Sequence, residues 1–129
     1  MKYTKGFKFQ LEEPEMYNSG ISGYEFDTPF YSLLKSGTII AKAGFAWDGC
    51  SGSIDTDTNL RAGLFHDIGC LLVAREVIPS HHIKEVNRMF YNLLCEDGMN
   101  KARIWWHFKA VRMHFAKGTK PERRKIYEK

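Results

Sequence analysis

The feature that most constrains the fold is a change of pattern at residues 44–58, which divide the chain into two unlike parts. This segment is rich in Gly, Ser and Asp, a composition typical of a loop. In residues 1–43, short runs of β-branched and aromatic residues predict strands. In residues 59–118, apolar residues recur at spacings of three and four, which predicts helices. The chain is therefore expected to be α+β, with a small N-terminal antiparallel sheet followed by a three-helix C-terminal core.

The N-terminal part contains three candidate strands. Residues 5–12 alternate partly between apolar and polar and predict the first strand. Residues 14–23 are rich in Gly, Ser, Asn and Pro and predict a loop. Residues 24–34 and 38–43 flank a Ser-Gly pair at 36–37, which predicts a β-hairpin.

The C-terminal part contains three candidate helices. We expect the first to run from residue 58 or 59 to about 75, the second from 79 to 98 and the third from 100 to 118, because polar capping residues and glycines mark these ends. The length of 129 residues favours a single domain over residues 1–118. Residues 119–129 are expected to form a frayed basic tail.

A histidine and an asparagine are the candidate catalytic pair. On the first helix, His66 lies on an apolar face, and Asp67 points about 100° further around the helix. On the second helix, Asn87 interrupts an apolar stripe between Ile83 and Phe90, so its amide needs a hydrogen bond. If the two helices are antiparallel, Asn87 can accept a ring N–H of His66 and leave the other ring nitrogen to take a proton from water.

Oxygen-bearing groups of the loop are the candidate metal ligands. Asp48, the carbonyls near Gly49 and Gly52, and Asp67 can together supply oxygens to a hard cation such as calcium. The alternative is structural: an inward histidine is often a hydrogen-bonded core residue, and Asp67 can act as a cap or in a salt bridge. Pattern alone leaves both interpretations open.

The charge of the chain is unevenly distributed. Residues 100–129 hold ten Lys/Arg and two Asp/Glu, a net charge of +8, whereas the rest of the chain sums to −4. Trp105 and Trp106 lie within this basic segment, which fits a phospholipid or membrane surface and, less well, nucleic acid. The structural alternative is a solvated helix face followed by a charged tail. Adjacent residues cannot share one helix face, so we expect at least one of the two indoles to pack against the core.

Cysteine usage and the N-terminus indicate the compartment. The three cysteines Cys50, Cys70 and Cys95 are an odd number without a CxxC pair, which favours free thiols in a reducing compartment. The first ten residues have no apolar core typical of a signal peptide, and no apolar run reaches the length of a membrane span.

The stretch DGCSGSIDTDTNLRAGLFHDIG resembles the calcium loop and His-Asp helix of secreted phospholipase A2 enzymes, above all the short bacterial and fungal ones. The resemblance covers residues 47–93 and implies a helical core like theirs. It also implies that His66 is the general base that activates a water for attack on an ester carbonyl. Asp48, Asp67 and the carbonyl of Gly49 would then hold calcium, which polarises that carbonyl.

A second resemblance covers residues 41–118. The motifs AGFAWDGCSGS, LFHDIG, EVNRMFYNLL and AVRMHFAKG are similar to those of a phage-associated family of domains of unknown function, number 1353. This resemblance implies a bacteriophage protein located in the virion or the host cytoplasm, with other virion proteins among its partners.

The chain departs from the phospholipase pattern at several positions. Asn87 stands where those enzymes have the aspartate that orients the histidine, and Cys70 replaces a tyrosine that bonds to that aspartate. Cys50 stands where those enzymes have a disulfide cysteine, but the position of its partner cysteine is occupied here by Gly63. Two hypotheses follow: a phage-type, metal-assisted hydrolase of esters such as phospholipids, or a non-catalytic virion or host-interaction protein on the same scaffold.

Overall fold

The computed structural model describes residues 1–4, 9–47, 60–106 and 109. Within these ranges strands precede helices, and the predicted α+β class is confirmed. The strands are β1 (Tyr3–Thr4), β2 (Phe9–Leu11), β3 (Glu15–Asn18), β4 (Phe26–Asp27), β5 (Tyr31–Leu33), β6 (Thr38–Ala41) and β7 (Ala46–Trp47). The helices are α1 (Leu60–Ala74), a 3₁₀ turn (Ser80–His82) and α2 (Ile83–Glu96), followed by helical residues at 101–106 and 109.

The described strands form two antiparallel sheets rather than the one small sheet expected. The first has the order β1-β2-β7 and the second the order β3-β6-β5-β4. The predicted hairpin is present as β5 and β6, with Leu33 opposite Ile39. Gly37 closes its turn at φ 98°, a left-handed conformation that glycine adopts without a steric penalty.

Two predictions for the N-terminal part are wrong. Residues 14–23 are not all loop, because β3 pairs along its whole length with β6 and half-buries Glu15 and Tyr17. Residues 24–34 are not one strand, because Pro29 lies in a turn between β4 and β5. In that turn the hydroxyl oxygen of Thr28 accepts hydrogen bonds from the backbone N–H groups of the two residues after Pro29.

The helix α1 lies at the centre of the molecule. Every residue from 62 to 72 is buried, so this helix is covered on all sides and not only on the face that the spacing of its apolar residues indicated. By contrast, α2 is amphipathic: it buries the stripe that includes Val86, Phe90 and Leu94, and exposes its other side. The sequence pattern predicted this second arrangement.

The helices α1 and α2 pack antiparallel. As the residue number on α1 rises through Arg61 and His66, the number of the α2 partner falls through Asp97 and Asn87. Both helices end in a left-handed residue, Glu76 at φ 61° after α1 and Gly98 at φ 86° after α2. These ends lie close to the predicted ones.

The chain after α2 is described in part. The side-chain oxygen of Asn100 accepts the backbone N–H of Arg103 at 3.0 Å, so Asn100 caps the next helical segment as predicted. The end of this helix at residue 118 and the basic tail of residues 119–129 lie outside the described residues, as does most of the loop over residues 44–58. No helix in the described part of the chain is long and apolar enough to cross a bilayer.

Candidate functional site

The site is organised by a hydrogen bond between α1 and α2. Nε2 of His66 lies 2.9 Å from the side-chain oxygen Oδ1 of Asn87. Because an amide oxygen only accepts, Nε2 carries the proton and donates it. The contact between His66 and Asn87 is therefore present as the apolar stripe on α2 predicted, whereas their catalytic roles stay predictions.

Packing around the imidazole restricts its rotation. The ring of Phe90 meets that of His66 edge to face, with centroids 5.2 Å apart. The sulfur of Cys70 lies 3.7 Å from Nδ1 and 3.9 Å from Nε2. Only 5% of His66 and 8% of Asn87 are exposed, so the pair is enclosed by protein.

A glycine on α1 sets the distance between the two helices. A Cβ added at Gly69 would lie 2.6 Å from Cγ1 of Val86, closer than side chains approach in proteins. Gly69 is one turn after His66, and Val86 directly precedes Asn87. The close approach at Gly69 therefore allows the imidazole to reach the amide, a role that sequence analysis did not assign.

The candidate metal ligands are only partly described. Asp67 is 5% exposed and has an interaction partner. Asp48 and Gly49 lie outside the described residues, so their convergence on Asp67 stays a prediction. Within the described ranges, no group of three or more His, Cys, Asp or Glu side chains is arranged to hold a metal ion. The predicted ligands are all oxygens, which is the donor set that calcium prefers.

An ionic cluster fixes the helix pair at the opposite end from Gly69. The guanidinium of Arg61 donates to Asp97 and to Glu96, each at 3.1 Å, and Glu96 accepts the phenol O–H of Tyr17 at 2.8 Å. Partial burial and this hydrogen bond raise the pKa of Tyr17 to about 12. The hydrogen bond from Tyr17, together with Arg61, lowers the pKa of the Glu96 carboxyl. The cluster ties β3 to both helices and so holds their register.

Two features were not predicted from the sequence: this ionic cluster and the contacts of His82. Tyr17 was placed in a loop because the pairing of β3 was not recognised. Half-buried His82 lies between Glu85, at 2.9 Å from Nδ1, and the phenol of Tyr24, at 3.3 Å from Nε2. A histidine three residues before a glutamate at the start of a helix is the available sequence signal for the first of these contacts.

The expectation for the tryptophan pair is wrong. Trp105 is 63% exposed and Trp106 is 53% exposed, so neither indole is packed in the core. Ile104, which is 5% exposed, anchors this segment instead. The ammonium of Lys109 lies 4.9 Å from the ring centroid of Trp105, within the range of a cation–π interaction.

Comparison with protein-family models, with curated proteins and with solved structures found no match for this chain. The site is therefore interpreted from its own geometry.

Proposed function

We propose that this protein is a phage-type hydrolase of carboxylic esters, with His66 as the general base. The observation that carries the proposal is the 2.9 Å hydrogen bond from Nε2 of His66 to Asn87, which orients the ring and directs the proton to Nε2. A neutral imidazole held in this tautomer has its basic lone pair on Nδ1.

In the proposed reaction, Nδ1 of His66 removes a proton from a water as that water attacks the ester carbonyl. The imidazolium then gives this proton to the alcohol that leaves when the ester C–O bond breaks. Asn87 keeps the imidazole in place while its positive charge develops, although an amide stabilises that charge less than a carboxylate does. Contacts with the ring of Phe90 and the sulfur of Cys70 restrict the movement of the imidazole. The substrate class that fits the sequence resemblance is a phospholipid ester.

A divalent cation is part of this proposal. Asp48, Asp67 and the carbonyl of Gly49 would hold it, and bound calcium would supply polarisation of the ester carbonyl. The support for this assignment is the chemistry of the donor set, which consists only of oxygens.

The second candidate is a non-catalytic virion or host-interaction protein. The observation in its favour is the 5% exposure of His66, since a general base must meet its substrate or an attacking water. In this alternative, His66 and Asn87 satisfy one another inside the core and contribute only to stability.

Release of fatty acid from phospholipid vesicles, with and without calcium, separates the two candidates. We expect calcium-dependent release by the wild type, a loss of at least about a hundredfold in His66→Gln, and wild-type rates in the control His81→Gln, whose side chain is exposed. Equal rates for His66→Gln and the wild type would exclude this site as the source of activity. No release by a folded wild type would favour the scaffold.

The calcium assignment is tested separately by thermal unfolding. Calcium that binds the native state raises its melting temperature, and Asp67→Asn should abolish the increase. Wild-type protein that shows no shift with calcium in excess would contradict the metal-assisted mechanism. A shift that persists in Asp67→Asn would place the cation elsewhere.

A further inference from the structure

The helical segment after α2 exposes an unusual combination of side chains. Trp105 and Trp106 are more than half exposed, although indoles are among the largest apolar groups in proteins. On the opposite side of the segment, Ile104 is buried. Met99, which precedes the segment, is also buried at 6% exposure. The segment is thus fixed to the core by one side and presents its aromatic side outward.

Helical spacing arranges cations between the two indoles. At about 100° per residue, the basic and aromatic residues of the outward arc come in the order Lys101, Trp105, Lys109, Trp106 and Arg103, about 40–60° from one to the next. The small side chain of Ala102 lies between Lys109 and Trp106. Lys101 and Lys109 are exposed, and Arg103 is half-buried. The sequence has no Asp or Glu from residue 98 to 121, so the formal charges of this stretch are all positive.

We propose that this arc, made of Lys101, Arg103, Trp105, Trp106 and Lys109, binds the surface of a bilayer that contains anionic lipids. Indoles favour the boundary between headgroups and acyl chains, because the ring is apolar and its N–H remains hydrogen-bonded. Lysine and arginine extend their chains along the apolar zone and keep their charge at the phosphates. Alternation of the two residue types therefore matches the chemistry of the interface.

The geometry favours a bilayer over single-stranded nucleic acid. Bases stack on the open face of an aromatic ring. The ammonium of Lys109 lies 4.9 Å from the ring centroid of Trp105 and occupies one of its faces. Trp106 points about 100° away, so two successive bases cannot stack on both indoles in parallel. An indole that inserts its edge into the bilayer interface needs neither an open ring face nor a second indole parallel to it.

This inference does not depend on the proposed hydrolase activity, because binding is measured without turnover. The probes are vesicles of phosphatidylcholine, with and without phosphatidylglycerol, and the readouts are co-sedimentation and tryptophan emission. Trp47 is fully buried, so a blue shift on binding reports Trp105 and Trp106. We expect binding and a blue shift with the anionic vesicles and much weaker binding to phosphatidylcholine alone or at high salt.

Two variants test the arc. Trp105→Ala/Trp106→Ala should bind anionic vesicles at least about tenfold more weakly, because both indoles contribute buried apolar area. Lys101→Gln/Lys109→Gln should lose about fivefold per cation, which corresponds to ~1 kcal/mol for each basic residue near the surface. Met16→Ala, which removes a 63% exposed apolar side chain on β3, is the control and should bind like the wild type.

Wild-type binding by both arc variants would overturn the proposal. Tighter binding of the wild type to a single-stranded oligonucleotide than to anionic vesicles would overturn it in favour of nucleic acid. If the tryptophan variant fails to fold, the lysine variant, which alters only exposed polar groups, decides the question.

Discussion

The helix pair α1–α2 and the helical segment at residues 101–106 depart from the usual distribution of polar and apolar groups in opposite directions. The helix pair encloses His66, Asp67 and Asn87, each less than a tenth exposed, whereas the segment exposes two tryptophans. A polar group inside and a large apolar group outside are the two placements that carry information about function. The first must be satisfied by a partner within the protein, whereas the second can be covered by a partner outside it.

The difference shows how one chain can hold a polar group in its interior and present a separate surface for association. His66 is held by contacts within the protein: Asn87 lies across the helix pair, and Phe90 and Cys70 lie against the imidazole ring. Trp105 has Lys109 beside it and presents most of its surface to solvent. We therefore expect changes in the interior to alter stability and changes on the segment to alter association.

The largest expected difference in stability is between replacing a buried tryptophan and replacing an exposed one. Trp47→Ala removes a fully buried indole and should lower the free energy of unfolding by about 3–5 kcal/mol. Trp105→Ala should lower it by less than about 1 kcal/mol, because only a partial contact with Lys109 is lost. Urea denaturation of both variants makes the comparison, and similar losses would mean that Trp105 is packed.

The next effect tests the buried pair as a unit. His66→Leu or Asn87→Leu alone leaves one polar group without its partner and should cost up to about 3 kcal/mol. The double variant replaces both groups by apolar ones and should cost clearly less than the two single variants added together. Additive losses in this double-mutant cycle would show that the two side chains are not coupled.

The third effect concerns the distance between α1 and α2. Gly69→Ala inserts a methyl group against Val86 and should cost about 2 kcal/mol. Val86→Ala in the same chain makes room and should recover part of this loss. Unfolding curves that show no effect of Gly69→Ala would mean that the helices separate without cost.

The smallest effect should appear at high pH in the cluster that fixes the helix register. Burial and the hydrogen bond to Glu96 raise the pKa of Tyr17 from 10.0 to about 12, so folding favours its neutral form. This contribution is fully present below pH 10.0 and is lost as pH rises to about 12. Relative to Tyr17→Phe, the wild type should lose stability in this window, and parallel profiles would contradict the assignment.

Much of the fold could be predicted from local pattern. The β5–β6 hairpin was predicted from the glycine in its turn, and α2 was predicted from the spacing of its apolar residues. Both elements are present. The contact of His66 with Asn87 could also be predicted, because a polar residue on an apolar stripe requires a partner. The turn and the helix were predicted from residues within each element, whereas the contact also required the two helices to pack antiparallel.

The errors arose where distant parts of the chain decide the structure. Pairing with β6 makes a strand of Glu15–Asn18 in spite of its turn-forming neighbours. The exposure of Trp105 and Trp106 follows from Ile104, which orients the segment by its own burial. Gly69 was a detectable signal, since a glycine within a helical pattern often marks close packing.

The central claim, that Asn87 orients His66, is tested most directly by the protonation of the imidazole nitrogens. Long-range ¹H–¹⁵N correlation NMR on ¹⁵N-labelled protein near neutral pH distinguishes the two tautomers, and His66→Gln identifies the signals among those of the five histidines. We predict that the ring proton lies on Nε2, and that these shifts change in Asn87→Leu. A proton on Nδ1, or shifts that do not respond to Asn87→Leu, would contradict the account.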